Sequence, residues 1–119
     1  VTSAIASIPT PTTGDLVVAL YYDRDGNPME HEEWMVAFGF GNGIDKTAIG
    51  DVMVSTVWLG IDHSFGHGPP LIFETMVFGG GLDEYLWRWS TVAEAQEGHN
   101  RVVQMVSEGL PVEWVSGVR

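Results

Sequence analysis

The sequence predicts an α+β protein: a small antiparallel sheet of three to four strands with two helices packed on one face. Three observations carry this. The segments 49–61 and 71–78 are β-branched and aromatic runs bounded by glycine and proline. The segment EYLWRWS (84–90) alternates, with Tyr85, Trp87 and Trp89 on one side and Glu84, Leu86 and Arg88 on the other. Two further stretches combine helix-start residues with apolar spacing near the helical period.

In chain order, residues 1–14 are rich in Thr, Ser, Ala and Pro and are expected to form a flexible tail. Residues 15–119 are expected to form a single α+β domain, the usual count for a chain of 119 residues. DLVVALYY (15–22) reads as a strand and DRDGN (23–27) as a turn. Asn27 as N-cap, Pro28 in the first helical position and Glu30 three after the cap predict a helix opening at PMEHEEWMVAFG. Trp34 and Phe38 then lie one turn apart on one face. GFGNGIDK reads as a loop.

IGDVMVSTVWLGI (49–61) reads as one long strand, with Val52, Val54, Thr56 and Trp58 on one side and Met53, Ser55 and Val57 on the other. Both sides are mostly apolar, which predicts a central position. LIFETMVF (71–78) is the second central strand, and GGGLD turns the chain into the third. If those two strands pair about that turn, positions summing to about 162 face each other, which sets Arg88 opposite Glu74. Thr91 and Glu94 form a capping box for a helix running to about Glu108, with Ala95, His99, Val102 and Val106 as its buried stripe. Gly109 is a natural stop. LPVEWV (110–115) suits a short edge segment, because Pro111 cannot donate to a ladder.

Sixteen acidic residues against five basic ones give a formal charge of -11. That field repels phosphate backbones, so direct nucleic-acid binding is not expected; a protein partner of basic character is. The absence of cysteine excludes disulfides and thiolate metal sites. No apolar run reaches ~18 residues, so no membrane span is expected. The first residues lack a basic region and a long apolar stretch, so no signal peptide is expected.

Four polar constellations stand out. Asp62, His63 and His67 surround a Gly/Pro loop, where a four-residue His spacing has no helical geometry to make it a metal pair. An aspartate at that position also commonly accepts backbone N–H bonds and shapes the turn. Glu74, flanked by Ile72, Met76 and Phe78 on its own face, needs a partner, and Arg88 is the obvious one. His99 lies on an apolar helical stripe, where a histidine is commonly a hydrogen-bonded core residue. If helix placement brings them together, His63, Glu74 and His99 make a two-histidine, one-carboxylate set of the type that binds Zn or Fe. The fourth, DRDGN…E (23–32), lacks an oxygen ligand at its first position, Tyr21, and is not an EF-hand. There is no phosphate-binding glycine loop, dinucleotide fingerprint or nucleophile elbow.

At IGDVMVSTVWLGIDHSFGHGPPLIFETMVFGG the chain resembles a group of short, uncharacterised bacteriophage and prophage proteins. The resemblance covers residues ~49–103 and rests on VSTVWLG-x-DH-x-F-x-x-GPP-x-x-FETMVF. The group implies no activity. It implies a small product made in the cytoplasm of the bacterial host cell. Many members have glycine at the position of His67, which sets that residue aside.

The expectation is therefore a non-enzymatic interaction module without a cofactor. One such role is inhibition of a host defence protein through an acidic surface. Its expected contact residues are Asp62, His63 and Phe65 of the loop, and Glu30, Glu32 and Glu33 of the first helix. Tyr85, Trp87 and Trp89 are candidate anchors for a partner or a homodimer, against the alternative that they pack in the core. The alternatives are a metal-binding protein or metal-dependent enzyme using His63, Glu74 and His99 with Zn or Fe, and a structural or assembly component of a phage.

Overall fold

The computed structural model describes residues 20–81 and 85–109. The expected tail, most of the strand expected at 15–22 and the segment 110–115 lie outside the described residues. The described elements are, in order, β1 (Tyr21–Tyr22), β2 (Pro28–Met29), α1 (His31–Gly39), β3 (Gly43–Ile49), β4 (Val52–Trp58), β5 (Phe73–Phe78), β6 (Leu86–Trp89) and α2 (Val92–Ser107). β3 to β6 form an antiparallel sheet in sequential order, and β1 pairs with β2 in a small separate hairpin. The α+β class is as the sequence predicts.

Two local expectations are corrected. The first helix does not open at Asn27. The Asp23 carboxylate accepts the N–H groups of Asp25 and Asn27, each at 2.9 Å, and the Asp23 N–H donates to the Asn27 carbonyl at 2.8 Å. Those bonds close a hairpin that pairs Tyr22 with Pro28. The chain is then free to turn helical only at Glu30, whose N–H donates to the Glu33 carboxylate at 2.9 Å as one half of a capping box. The second correction concerns GFGNGIDK, expected as a loop: from Gly43 onward it belongs to β3. The long strand expected at 49–61 is in fact the end of β3, the two-residue turn Gly50–Asp51 and β4, with Ile49 paired to Val52. Gly50 takes φ 59°, the left-handed region that tight hairpins need.

β4 and β5 are the inner strands, as their two-sided apolar pattern predicts. One sheet face carries Val54, Thr56 and Trp58 of β4, Phe73, Thr75 and Val77 of β5, and Trp87 and Trp89 of β6, all buried. α2 packs against β3, β4, β5 and β6. Its own buried residues are Ala95, Gly98, His99 and Val102, the expected stripe with Gly98 added. Gly98 is there because a side chain would collide with the six-membered ring of Trp89. Full burial of each large apolar side chain here contributes roughly 1.5–3 kcal/mol.

α1 adds to the core from the other end of β4. Trp34, Phe38 and Trp58 form a chain of ring contacts, with centroids 5.1 and 6.1 Å apart. The Trp34 indole donates to the Leu59 carbonyl at 2.9 Å and the Trp58 indole to the Tyr22 carbonyl at 3.1 Å. The opposite sheet face carries Ser55, Val57, Glu74, Met76, Leu86 and Arg88, as the pairings Ser55 to Met76, Val57 to Glu74, and Met76 to Leu86 require.

Candidate functional site

The loop 62–70 is organised by one carboxylate. Asp62 Oδ1 accepts the Ser64 N–H at 2.7 Å and the Leu71 N–H at 3.0 Å, and Oδ2 accepts the Ser64 hydroxyl at 2.9 Å. The loop is thereby closed at both ends by a single residue. His63 N–H donates to the Leu71 carbonyl at 3.0 Å, next to that closure. Burial works against ionisation of Asp62. The Ser64 and Leu71 N–H groups, the Ser64 hydroxyl and nearby His63 outweigh it, so the carboxyl sits below its ordinary range. The His63 Nδ1 lies 2.9 Å from the Ile61 carbonyl; a carbonyl only accepts, so Nδ1 carries the proton.

The tip of this loop displays an aromatic ring. Phe65 is 83% exposed and takes φ 55°, the one described residue other than glycine with a left-handed backbone. That conformation costs roughly 1–2 kcal/mol for an L residue. It is held in place by the Asp62 bonds and by Ser64, itself buried, whose carbonyl accepts the His67 N–H at 3.0 Å. A cleft of about 190 Å³ runs between the loop and the end of β6, lined by His67, Pro69 and Leu71 on one side and Arg88, Ser90 and Glu94 on the other.

Glu30, Glu32 and Glu33 are exposed on the first turn of α1. Carboxylates there are favoured by the partial positive charge of a helix N-terminus. Tyr21 connects this turn to the loop: it bridges to Ile61, the residue before Asp62, and its ring lies 5.1 Å from that of His31. The acidic turn and the root of the 62–70 loop are thus neighbours in the fold.

The aromatic alternation of β6 resolves differently. Trp87 and Trp89 are 1% and 5% exposed and belong to the core, so their expected role as anchors for a partner or homodimer is corrected. Only Tyr85, 42% exposed and stacked on Trp87 with ring centroids 6.3 Å apart, remains at the surface.

His63, Glu74 and His99 are not brought together. Glu74 lies on the sheet face away from α2, where Arg88 Nε donates to its Oε2 at 3.1 Å. His99 projects from α2 onto the opposite face, where it meets Thr56, itself bonded to Thr75, whose side chain must point the other way from that of its neighbour Glu74. His63 is in the loop. Among the described residues no group of three His, Asp or Glu side chains has metal-holding geometry.

What the sequence left unseen is the set of partners around His99, which is 1% exposed. Its Nδ1 lies 2.7 Å from Thr56 Oγ1 and its Nε2 lies 2.9 Å from Thr47 Oγ1. Thr56 Oγ1 is 2.5 Å from Thr75 Oγ1, and Thr75 Oγ1 accepts the Trp89 indole N–H at 3.0 Å. Asp45 Oδ2 lies 3.7 Å from Nε2 and accepts the Gln96 amide at 2.8 Å. The grouping has the residue types of a nucleophile triad, but Thr56 and Thr75 are fully buried. Burial pushes the His99 imidazole below its ordinary value, and Asp45 partly offsets this. The available signal was the placement of Thr56 and Thr75 at inward positions of otherwise apolar strand faces. Buried hydroxyls need partners.

No protein-family model, curated protein or solved structure matches the chain.

Proposed function

We propose that the protein is a non-enzymatic interaction module that docks on a basic protein surface through Phe65 and the neighbouring acidic turn of α1. The observation that carries this reading is Phe65 itself, held exposed on a left-handed backbone by a loop tied at both ends to Asp62. Glu30, Glu32 and Glu33, on the helix turn next to the root of the same loop, supply the charge that a partner with a basic rim would recognise, and the formal charge of -11 steers such an encounter. The rival reading, a metal-dependent enzyme built on His63, Glu74 and His99, lacks the convergence it needs.

The resemblance to small phage proteins supplies the context: an accessory product acting in the cytoplasm of the host cell. There, an acidic module can occupy the nucleic-acid groove of a defence enzyme by presenting carboxylates where phosphates would lie.

The test is capture of partners from host lysate with the wild-type protein, Phe65→Ser, and a Glu30→Lys/Glu32→Lys/Glu33→Lys variant, each checked for folding. The reading expects one basic partner, retained by the wild type, lost with Phe65→Ser and weakened by the triple variant and by salt. A partner held equally by all three, or one equivalent of Zn or Fe lost on replacing His63 and His99, would overturn it.

A further inference from the structure

We infer that His99 is a proton-operated fastener between α2 and the sheet, closed by a one-way chain of hydrogen bonds and opened by a second proton on its ring.

The direction of the chain follows from counting donors. The Trp89 indole nitrogen can only donate, and it donates to Thr75 Oγ1. Thr75 then has its own proton to place, and Thr56 Oγ1 is the side-chain acceptor within reach. Thr56, having accepted, passes its proton to the next acceptor, His99 Nδ1. The arrangement that uses every proton therefore runs Trp89 to Thr75 to Thr56 to His99. It leaves Nδ1 as the acceptor and puts the single ring proton on Nε2, where it faces Thr47 Oγ1 and, farther off, Asp45 Oδ2. Four strands and one helix are tied by it: β3 through Thr47, β4 through Thr56, β5 through Thr75, β6 through Trp89 and α2 through His99.

A second ring proton can enter only at Nδ1. It then points at the hydroxyl proton of Thr56, and two donors meet. Thr56 can relieve this only by turning its proton back onto Thr75 Oγ1, which reverses that bond and displaces the Thr75 proton, and both hydroxyls are fully buried. Protonation therefore leaves a buried hydroxyl without a partner and places a cation at the α2–sheet contact.

The groups facing His99 set how deep the penalty is. β3 contributes Asp45 and Thr47, β4 and β5 contribute only hydroxyls, β6 contributes a neutral indole, and α2 contributes Gln96 through its bond to Asp45. Asp45 is the one carboxylate at ion-pair distance among the described residues, 3.7 Å away and already engaged by Gln96. It moderates the cost of the cation without removing it. The fastener is closed at neutral pH and strained in mild acid, where α2, with its apolar stripe of Ala95, Val102 and Val106, is the element released.

Two measurements on the intact chain test this. The first is the ¹⁵N chemical shifts of the His99 ring across pH. At pH 7.5 they should show the proton on Nε2 and a bare Nδ1; a proton on Nδ1 would overturn the chain direction. The second is unfolding by denaturant between pH 7.5 and 5 for the wild type, His99→Gln and Asp45→Asn. Full stability above the ordinary imidazole value of 6.5 should give way, as pH falls below it, to a loss shallower than the roughly tenfold in the folding constant per pH unit that one proton can cause at most, because Asp45 lets the folded ring take up part of that proton. Asp45→Asn should deepen that loss, because the imidazolium loses the Asp45 counter-charge. His99→Gln should flatten it. If His99→Gln does not fold, the ring shifts and the Asp45→Asn comparison still decide: a pH profile in Asp45→Asn identical to wild type would overturn the proposal.

Discussion

Glu74 and Arg88 face each other across β5 and β6, with Arg88 Nε donating to Glu74 Oε2 at 3.1 Å. The Glu74 side chain is only 12% exposed and the Arg88 side chain 31%. The pair is therefore sheltered enough for loss of one member to matter more than it would on an open surface.

Arg88→Met should leave a nearly buried carboxylate without its donor and cost about 3 kcal/mol, within the range for breaking such pairs. Glu74→Gln with Arg88→Met should recover a large part of that cost, since neither remaining group is charged. Denaturant unfolding of the two single variants and the double variant measures the coupling. Additive effects would show that the pair contributes nothing of its own.

Asp62 should be the most sensitive position in the exposed loop. Asp62→Ala removes the acceptor for two backbone N–H groups and the Ser64 hydroxyl, at a cost of roughly 1–3 kcal/mol. Amide exchange at Ser64 and Leu71 should rise by more than exchange in β4. The same carboxylate also gives a pH signature. Its folded value is below the ordinary 3.8, as is that of Asp45, for which the Gln96 amide is the leading cause. A depressed carboxyl contributes stability that is complete above its unfolded value and lost as pH falls through its folded one. A second acid loss should therefore appear below about pH 4, separate from any histidine step, and shrink in Asp62→Asn.

Gly98→Ala should reverse the usual helical trend. In an open helix alanine is better than glycine by roughly 1 kcal/mol. Here the added carbon would overlap the Trp89 ring, which is itself buried and bonded to Thr75. Overpacking of this kind costs about 1–3 kcal/mol, so net destabilisation with loss of Trp89 fluorescence character is expected. A thermal midpoint at or above that of the wild type would show that the α2–β6 contact is looser than the geometry implies.

Local chemistry made part of this protein legible without a fold. Thr91 and Glu94 announce α2 because a capping box satisfies its own backbone groups, and both halves of the box are formed. The alternation along β4 names its two faces because strand side chains alternate whatever the neighbours are. The Glu74–Arg88 register followed from one turn and a period of two. Asp62 as a turn-shaping residue rested on the same short-range logic.

Tertiary structure decided the rest. β3 was hidden because its residues are weakly patterned and become a strand only by pairing with β4; the Gly50–Asp51 dipeptide was the overlooked hairpin signal. Asn27 offered good N-cap chemistry, but Asp23 reached its N–H first and the helix began later. The alternation of β6 could not say which side faces water, and α2 covers the Trp87 and Trp89 side. The partners of His99, Thr56, Thr47 and Asp45, lie 43 to 54 positions away in the chain. Contacts over that distance are chosen by packing of the whole sheet against α2, and no local rule of capping, turn or period reaches so far.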